Sequence, residues 1–288
     1  PDAPERAILN GIHAMGLESH LDNGSLQIVH GSTVATNAVL EGKLARTVFI
    51  TNHGFADMLQ LARQVRPQLY ALETPAVPPP VPRELCLETG GRFAADGSVV
   101  LPLSTEDRNE LLQQVESLAP DAIAINLLFS FLDDRFEREI ETAINALPGK
   151  RFVSRSSKVL PEYKEYERGI ATWLNAALGP VISGYLGALQ QQLGNTPLQV
   201  MQASGETMSA STAAQSAVNL LLSGPAGGLT AIAYLAQQVG ESKFISFDMG
   251  GTSTDVALLD GKIRTSNESS ISSYPIAVPM VDMETIGA

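Results

Sequence analysis

The stretch from Phe244 to Leu259 constrains this chain more than any other. An apolar run, Phe244-Ile245-Ser246-Phe247, breaks at Gly250-Gly251 among hydroxyls and resumes as Val256-Ala257-Leu258-Leu259. That pattern reads as strand, tight turn, strand, and Asp260-Gly261 adds a second two-residue hairpin signal before Lys262-Ile263-Arg264. Its chemistry favours phosphate. Gly250 and Gly251 carry no Cβ, so backbone N–H groups can approach an anion closely. Thr252, Ser253 and Thr254 add short hydroxyls. Asp248 and Asp255 bracket the turn, and carboxylates beside phosphates are best tolerated with a hard cation such as Mg²⁺ between them. A glycine-rich hairpin with polar turn residues and no ligand would carry the same pattern.

The rest of the chain reads as an α/β protein. A short amphipathic helix over Pro4–Met15 precedes a strand, Leu26–His30. Ser32 or Thr33 caps a helix running to about Glu41, with Gly42 as its stop. A strand over Arg46–Thr51 and a helix over Ala56–Gln64 follow, an alternation that argues for a mainly parallel sheet. The segment from Pro75 to Pro82 holds five prolines and reads as a stiff connector, and Arg83–Leu101 as a short hairpin region. Ser104, with Asp107 placed for a reciprocal cap, opens a helix whose apolar face is Leu111, Leu112, Val115 and Leu118. Ala122–Phe129 reads as a buried strand, and Phe136, Ile140, Ile144 and Leu147 as a helical stripe. Phe152–Ser154 and Lys158–Leu160 supply short β segments, and Tyr163 to Leu193 is helical with a break near Gly179-Pro180. After the strand Leu198–Gln202, Ser223-Gly224-Pro225-Ala226-Gly227-Gly228 reads as a turn leading into a helix through Leu235. Exposed N–H groups at such a helix start suit an anion or a nucleotide.

Totals narrow the classes. At 288 residues the length suggests two domains, placed at 1–150 and 151–288. A formal charge of −12 argues against a nucleic-acid surface, and no apolar run approaches the roughly 20 residues of a membrane span. The single Cys86 cannot form an internal disulfide and fits a reducing compartment, so a cytoplasmic location is expected. With four His and one Cys, a zinc cage is not expected.

Several blocks then carry a resemblance. Asp248–Asp255 resembles the phosphate loop of the hydantoinase/5-oxoprolinase family, and Ser223–Gly228 its nucleotide-binding loop. His30-Gly31-Ser32-Thr33-Val34-Ala35-Thr36-Asn37-Ala38 is similar to the family's His-Gly-Thr-Thr-x-x-Thr-Asn-Ala signature, with Ser32 in place of the first Thr. Segments at Gly54–Leu59, Arg63–Tyr70 and Tyr163–Arg168 continue the match. The turn Ala203–Thr207 departs from it, with one Gly205 where the family has an adjacent pair.

The resemblance implies a two-lobed ATPase architecture of the actin and sugar-kinase type. It implies ATP and Mg²⁺ as cofactors, with Asp248 and Asp255 organising metal and water in catalysis. Phosphates would be held by Gly250, Gly251, Thr252 and Thr254, and the nucleotide bordered by Gly224, Gly227 and Gly228. His30 would act catalytically on the substrate side beside Thr33 and Asn37. Arg63 and Arg66 could pair a substrate carboxylate or phosphate, and could equally be surface residues. Arg168 and Asn175, seven residues apart on one helical face, are further candidates. The implied activity is ATP-dependent ring opening of a cyclic amide such as hydantoin, N-methylhydantoin or 5-oxoproline, beside a hydantoinase B-type second subunit or a fused equivalent. A ketone carboxylase subunit and a non-catalytic nucleotide-binding module are the alternatives. The family's upstream Asp-x-Gly-Gly-Thr-x-Thr-Asp loop has no counterpart before Pro4, so the chain is expected to be a portion of a longer protein, carrying one of two phosphate loops.

Overall fold

Strand Thr47–Asn52 is buried along its whole length, and that burial organises the first of two compact units, Leu44–Pro180 with Tyr274–Ala277. The computed structural model describes residues 5–65, 70, 78–249, 253–272 and 274–287. Gly250, Gly251, Thr252, Arg66 and residues 75–77 of the expected connector lie outside them. Among the described residues no helix is long and apolar enough to cross a membrane.

In this unit Thr47–Asn52 pairs with Cys86–Thr89 on one side and Ala122–Ile125 on the other, and Phe152–Arg155 extends the sheet. All three pairings are parallel, with Phe49 opposite Cys86, Val48 opposite Ile123, and Ile123 opposite Val153. Val48, Phe49, Ile50, Ile123 and Ile125 are fully buried, as expected where both sheet faces are covered. The helix Thr105–Leu118 starts at the reciprocal cap read from the sequence: Asp107 N–H donates to Ser104 Oγ at 3.0 Å, and Ser104 N–H to Asp107 Oδ2 at 3.2 Å. Leu111 and Val115 are buried on its inner face.

Four expectations change here, each for a local reason. The strand expected over Ala122–Phe129 stops at Ile125, because side chains take over the backbone groups that follow. Asn52 Oδ1 accepts from Leu128 N–H at 2.8 Å, and Glu137 Oε1 from Leu127 N–H at 3.0 Å. Lys158–Leu160 is not a β segment. The buried Glu137 carboxylate accepts from Ser156 Oγ and Ser157 N–H, at 2.6 and 2.9 Å, and anchors the start of a helical turn, Ser156–Val159. The helix expected over Ala56–Gln64 shrinks to Met58–Leu61, ended by Ala62 at φ +50°.

The fourth change is the largest. Glu165–Leu193 is one helix of 29 residues that continues through Pro180. Proline removes one helical hydrogen bond and costs about 3 kcal/mol in a helix interior. The turns on either side bury Ala176, Ala177, Leu178, Ile182 and Leu186, which offsets that cost at roughly 1.5–3 kcal/mol per large apolar side chain. Gly179 is where this helix meets the sheet: a Cβ there would lie 2.3 Å from Phe152 Cδ1. Gly179→Ala is therefore expected to destabilise the protein by about 1–3 kcal/mol, as overpacking does. Gly184→Ala, facing open space on the same helix, should be neutral or stabilising by up to about 1 kcal/mol. Thermal melts of the two variants compare them directly, and equal melting temperatures would contradict the packing argument.

The second unit comprises Pro1–Lys43, Val181–Ser273 and Val278–Ala288. Ile28–His30 pairs in parallel with Leu198–Met201, whose other edge carries the antiparallel strand Thr207–Ser209. The helix Val34–Leu40 follows the first of these strands, and Gly42 sits at φ +67° after it. The Gly-pair region is an antiparallel ribbon, Lys243–Met249 against Ser253–Asp260, as its sequence predicts. The second hairpin signal behaves differently. Gly261 turns at φ +75° and Asp260 bridges Lys262, but the ladder on the other edge of Ser253–Asp260 is made with Glu284–Gly287. Ser223–Gly228 is also not a turn before a helix. It forms the opening turns of the helix Ser223–Val239, entered through Leu222 at φ +57°. That helix packs Ala226, Leu229 and Ala236 on Ala257, Leu259 and Val281.

Candidate functional site

Strand alternation decides which ribbon residues share a face. Phe244, Ser246 and Asp248 oppose Leu259, Ala257 and Asp255, and the buried Ala257 and Leu259 mark this as the face covered by the helix Ser223–Val239. Asp248 and Asp255 are direct cross-strand partners at the end of that face nearest the turn. There the ribbon and the helix enclose a cleft of about 330 Å³, lined by Pro225, Gly228, Leu229 and Ile232 on one side. Ser246, Phe247, Asp248, Asp255 and Ala257 line the other, with Met283 also present. Two blocks some twenty residues apart thus meet in one cleft.

The glycines of the helix start divide by what they face. Gly228 is exposed on the cleft, with open space where a Cβ would stand. Gly224 lies against Thr33, whose Cγ2 would be 3.4 Å from such a Cβ, and Gly227 lies against Met201 at 3.7 Å. Thr254 opposes Met249, so its alternation puts it on the other ribbon face from Asp248 and Asp255.

The His30 segment is built onto the same helix start. Ser223 Oγ donates to Ser32 O at 3.0 Å, and Leu222 N–H donates to Thr36 Oγ1 at 2.9 Å. A Cβ at Gly31 would stand 3.7 Å from Ser223 O, an ordinary van der Waals distance, so the two segments touch without requiring glycine. Of the two expected caps, Thr33 occupies the N-cap position without a side-chain cap bond, and Ser32, one residue before it, accepts from Val34 N–H through Oγ at 3.2 Å. Thr33 and Asn37 are exposed neighbours, with Asn37 Nδ2 donating to Thr33 Oγ1 at 3.4 Å. His30 is half-buried, and its Nε2 lies 2.6 Å from Tyr185 Oη. Burial pushes its pKa below the usual histidine value. Sequence reasoning passed over Tyr185, a helical aromatic with no local signal. It also passed over Ser246, which strand alternation puts on the face of Asp248.

Three other candidates have structural partners. Arg63 belongs to the unit of Leu44–Pro180, where its Nε meets Glu167 Oε1 at 2.5 Å. Arg168 is fully buried and donates to Asn126 Oδ1, Glu162 O and Leu127 O at 3.0, 2.8 and 2.9 Å. Asn175 is buried and donates to Ser154 Oγ at 2.9 Å. The last two hold the sheet unit together.

Among the described residues no group of three or more His, Cys, Asp or Glu side chains gathers as a metal site. A pair of opposed carboxylates suits Mg²⁺ that completes its shell with water and phosphate oxygens, the usual arrangement in phosphoryl-transfer sites. It does not suit a cation held by protein alone.

The N-terminal region of the hydantoinase/oxoprolinase family matches residues 1–147, more than half of the chain, and the hydantoinase/oxoprolinase domain matches residues 168–288. The chain belongs to this family. It is 32% identical to caprolactamase subunit alpha of Pseudomonas jessenii over 267 residues, covering 90% of this chain and 38% of that one. It is also 32% identical to 5-oxoprolinase 1 of Arabidopsis thaliana over 284 residues, covering 90% of this chain and 22% of that one. The crystal structure of the ATP-dependent caprolactamase from P. jessenii has a TM-score of 0.78 at 31% identity, covering 91% of this chain and 39% of that one. The nucleotide-free acetone carboxylase structure, from work on ATP-dependent acetone carboxylation, has the same TM-score at 26% identity over 91% of this chain and 39% of that one. The α/β fold with mixed, partly parallel sheets is the ATPase-like fold of these enzymes. The chain spans well under half the length of these relatives.

Proposed function

We propose that this chain supplies the nucleotide cleft of an ATP-dependent enzyme that opens a cyclic amide. The observation that carries the reading is the facing of Asp248 and Asp255 with Pro225 and Gly228 across one cleft. Anions are stabilised at helix starts, and Mg²⁺ bridges carboxylates to phosphates. In this reading Asp248 and Asp255 hold Mg²⁺ and a water, and Gly228 leaves room for the nucleotide. Gly250, Gly251 and Thr252 hold phosphate from the turn, while Gly224 and Gly227 sit in the same helix start at van der Waals distance from Thr33 and Met201. ATP explains how an unreactive ring is opened. The amide oxygen takes the γ-phosphoryl group with release of ADP, and water adds to the activated carbon. The ring C–N bond then breaks with a proton passing to nitrogen, and a second water releases phosphate. The chain's part in this is positioning and electrostatics. His30, Thr33 and Asn37 face the cyclic amide. Mg²⁺ supplies charge neutralisation on the phosphates.

A second subunit, or a fused equivalent, completes the enzyme; the relative named subunit alpha supports this. The ketone carboxylase reading has equal structural support, because the acetone carboxylase and caprolactamase structures have the same TM-score. Product analysis separates the two. The intact protein with its partner, given ATP and hydantoin, N-methylhydantoin, 5-oxoproline or caprolactam, is expected to release ADP and ring-opened product in equal amounts. Carboxylated product from acetone and bicarbonate, with no ring opening, would transfer the function to the second reading.

A further inference from the structure

The hydrogen bond between His30 and Tyr185 does not end at those two residues. Its rings are tilted by 58° with centroids 5.8 Å apart, so the contact is an O–H to ring-nitrogen bond and not a stack. Ser32 stands beside the same phenol, where it opposes the rise in the Tyr185 pKa, and its Oγ accepts from Val34 N–H at 3.2 Å. The backbone N–H takes one of the two Ser32 lone pairs and leaves the hydroxyl proton free to donate. An intact phenol has one proton to give, and His30 Nε2 at 2.6 Å is an acceptor within its reach when that nitrogen is unprotonated.

We propose that Tyr185 is a positioning residue for His30: its O–H donates to Nε2, fixing the proton of the neutral ring on Nδ1 and leaving Nδ1–H to face a substrate carbonyl. The protonation states agree with this direction. Burial pushes the His30 imidazole down, and burial pushes the Tyr185 phenol up, with Ser32 opposing and the Glu5 carboxylate reinforcing that rise. At neutral pH the ring is therefore a neutral acceptor and the phenol an intact donor. The family signature drew attention to His30, but Tyr185 stands 155 residues away in sequence. The inference rests on the reading of His30 as a substrate-side residue.

With four histidines in the chain, ¹⁵N ring correlations resolve the His30 tautomer directly. The native protein is expected to show one tautomer, protonated at Nδ1, and Tyr185→Phe a mixture of both. In the intact enzyme the same variant should lower kcat of amide-dependent ATP turnover about tenfold, because an oriented group is released, while KM for ATP holds. Ser32→Ala leaves the phenol in place and should give the same changes at smaller amplitude. It carries the test if Tyr185→Phe does not fold. A single unchanged tautomer in a folded Tyr185→Phe or Ser32→Ala protein overturns the proposal, and so does a changed tautomer with unchanged kcat. His30→Ala distinguishes a deeper failure: if turnover survives it, the substrate-side reading of His30 is wrong, whatever Tyr185 does.

Discussion

Asp248→Asn is expected to weaken binding of Mg²⁺-ATP about ten- to hundredfold and to raise the Mg²⁺ concentration needed for half-saturation. The substitution keeps side-chain shape and removes one of two charges facing the cleft, so the loss is that of a charge-assisted contact and not of packing. Asp248 and Asp255 oppose each other in the ribbon register, and like charges in that position repel unless a cation lies between them. The folded protein without Mg²⁺ should therefore melt at the same or a slightly higher temperature after the substitution. That combination, weaker nucleotide binding without lost stability, is hard to obtain from a structural role. Asp260→Asn is the matched control, since Asp260 sits at the far end of the same ribbon, opposite Lys243. Calorimetric titration of both variants with Mg²⁺-ATP decides the matter. Equal affinities for Asp248→Asn and Asp260→Asn would remove the carboxylate pair from the nucleotide site.

What could be read beforehand followed the range of the interactions involved. The capped helix at Ser104, the strand expected over Arg46–Thr51 and found at Thr47–Asn52, and the Gly-pair ribbon depend on periodicity and near neighbours, and all three are present in the structure. The helix through Pro180 was illegible because its cost is local and its compensation is not: the buried turns around it only count once the chain has packed. The helical turn Ser156–Val159 was illegible for a similar reason, since its anchoring carboxylate, Glu137, is some twenty residues upstream. At the site, Asp248 and Asp255 could be placed on one face by alternation alone, and the same rule put Thr254 on the other face. The packing of Gly31 against Ser223 joins segments almost two hundred residues apart, and only the family resemblance brought them to attention together.

Arg168 offers the largest expected effect on stability and a direct choice between two roles. A ligand contact in the family block and a structural post were both compatible with its spacing. Its complete burial, its three hydrogen bonds and its position 5.3 Å over the Phe131 ring favour the post. Burial pushes its pKa down, and Glu137 and Glu165 counter that shift, so the charge is kept by its surroundings. Arg168→Ala leaves the Asn126 amide oxygen and two carbonyls without their donor and opens a side-chain-sized void. Together these are expected to cost about 3–5 kcal/mol, the range for losing one partner of a buried charged network. At roughly 2–4 °C per kcal/mol for a chain of this size class, the melting temperature should fall by about 10 °C. Arg168→Lys keeps the charge but not the planar fork that reaches three acceptors, and should recover only part of the loss. Nucleotide affinity, measured well below the melting transition, is expected to stay within about twofold of the native value in both variants. Melting temperature and Mg²⁺-ATP affinity taken on the same samples separate the roles. Retained stability with lost affinity would return Arg168 to the site, whereas lost stability with retained affinity places it in the frame of the sheet unit.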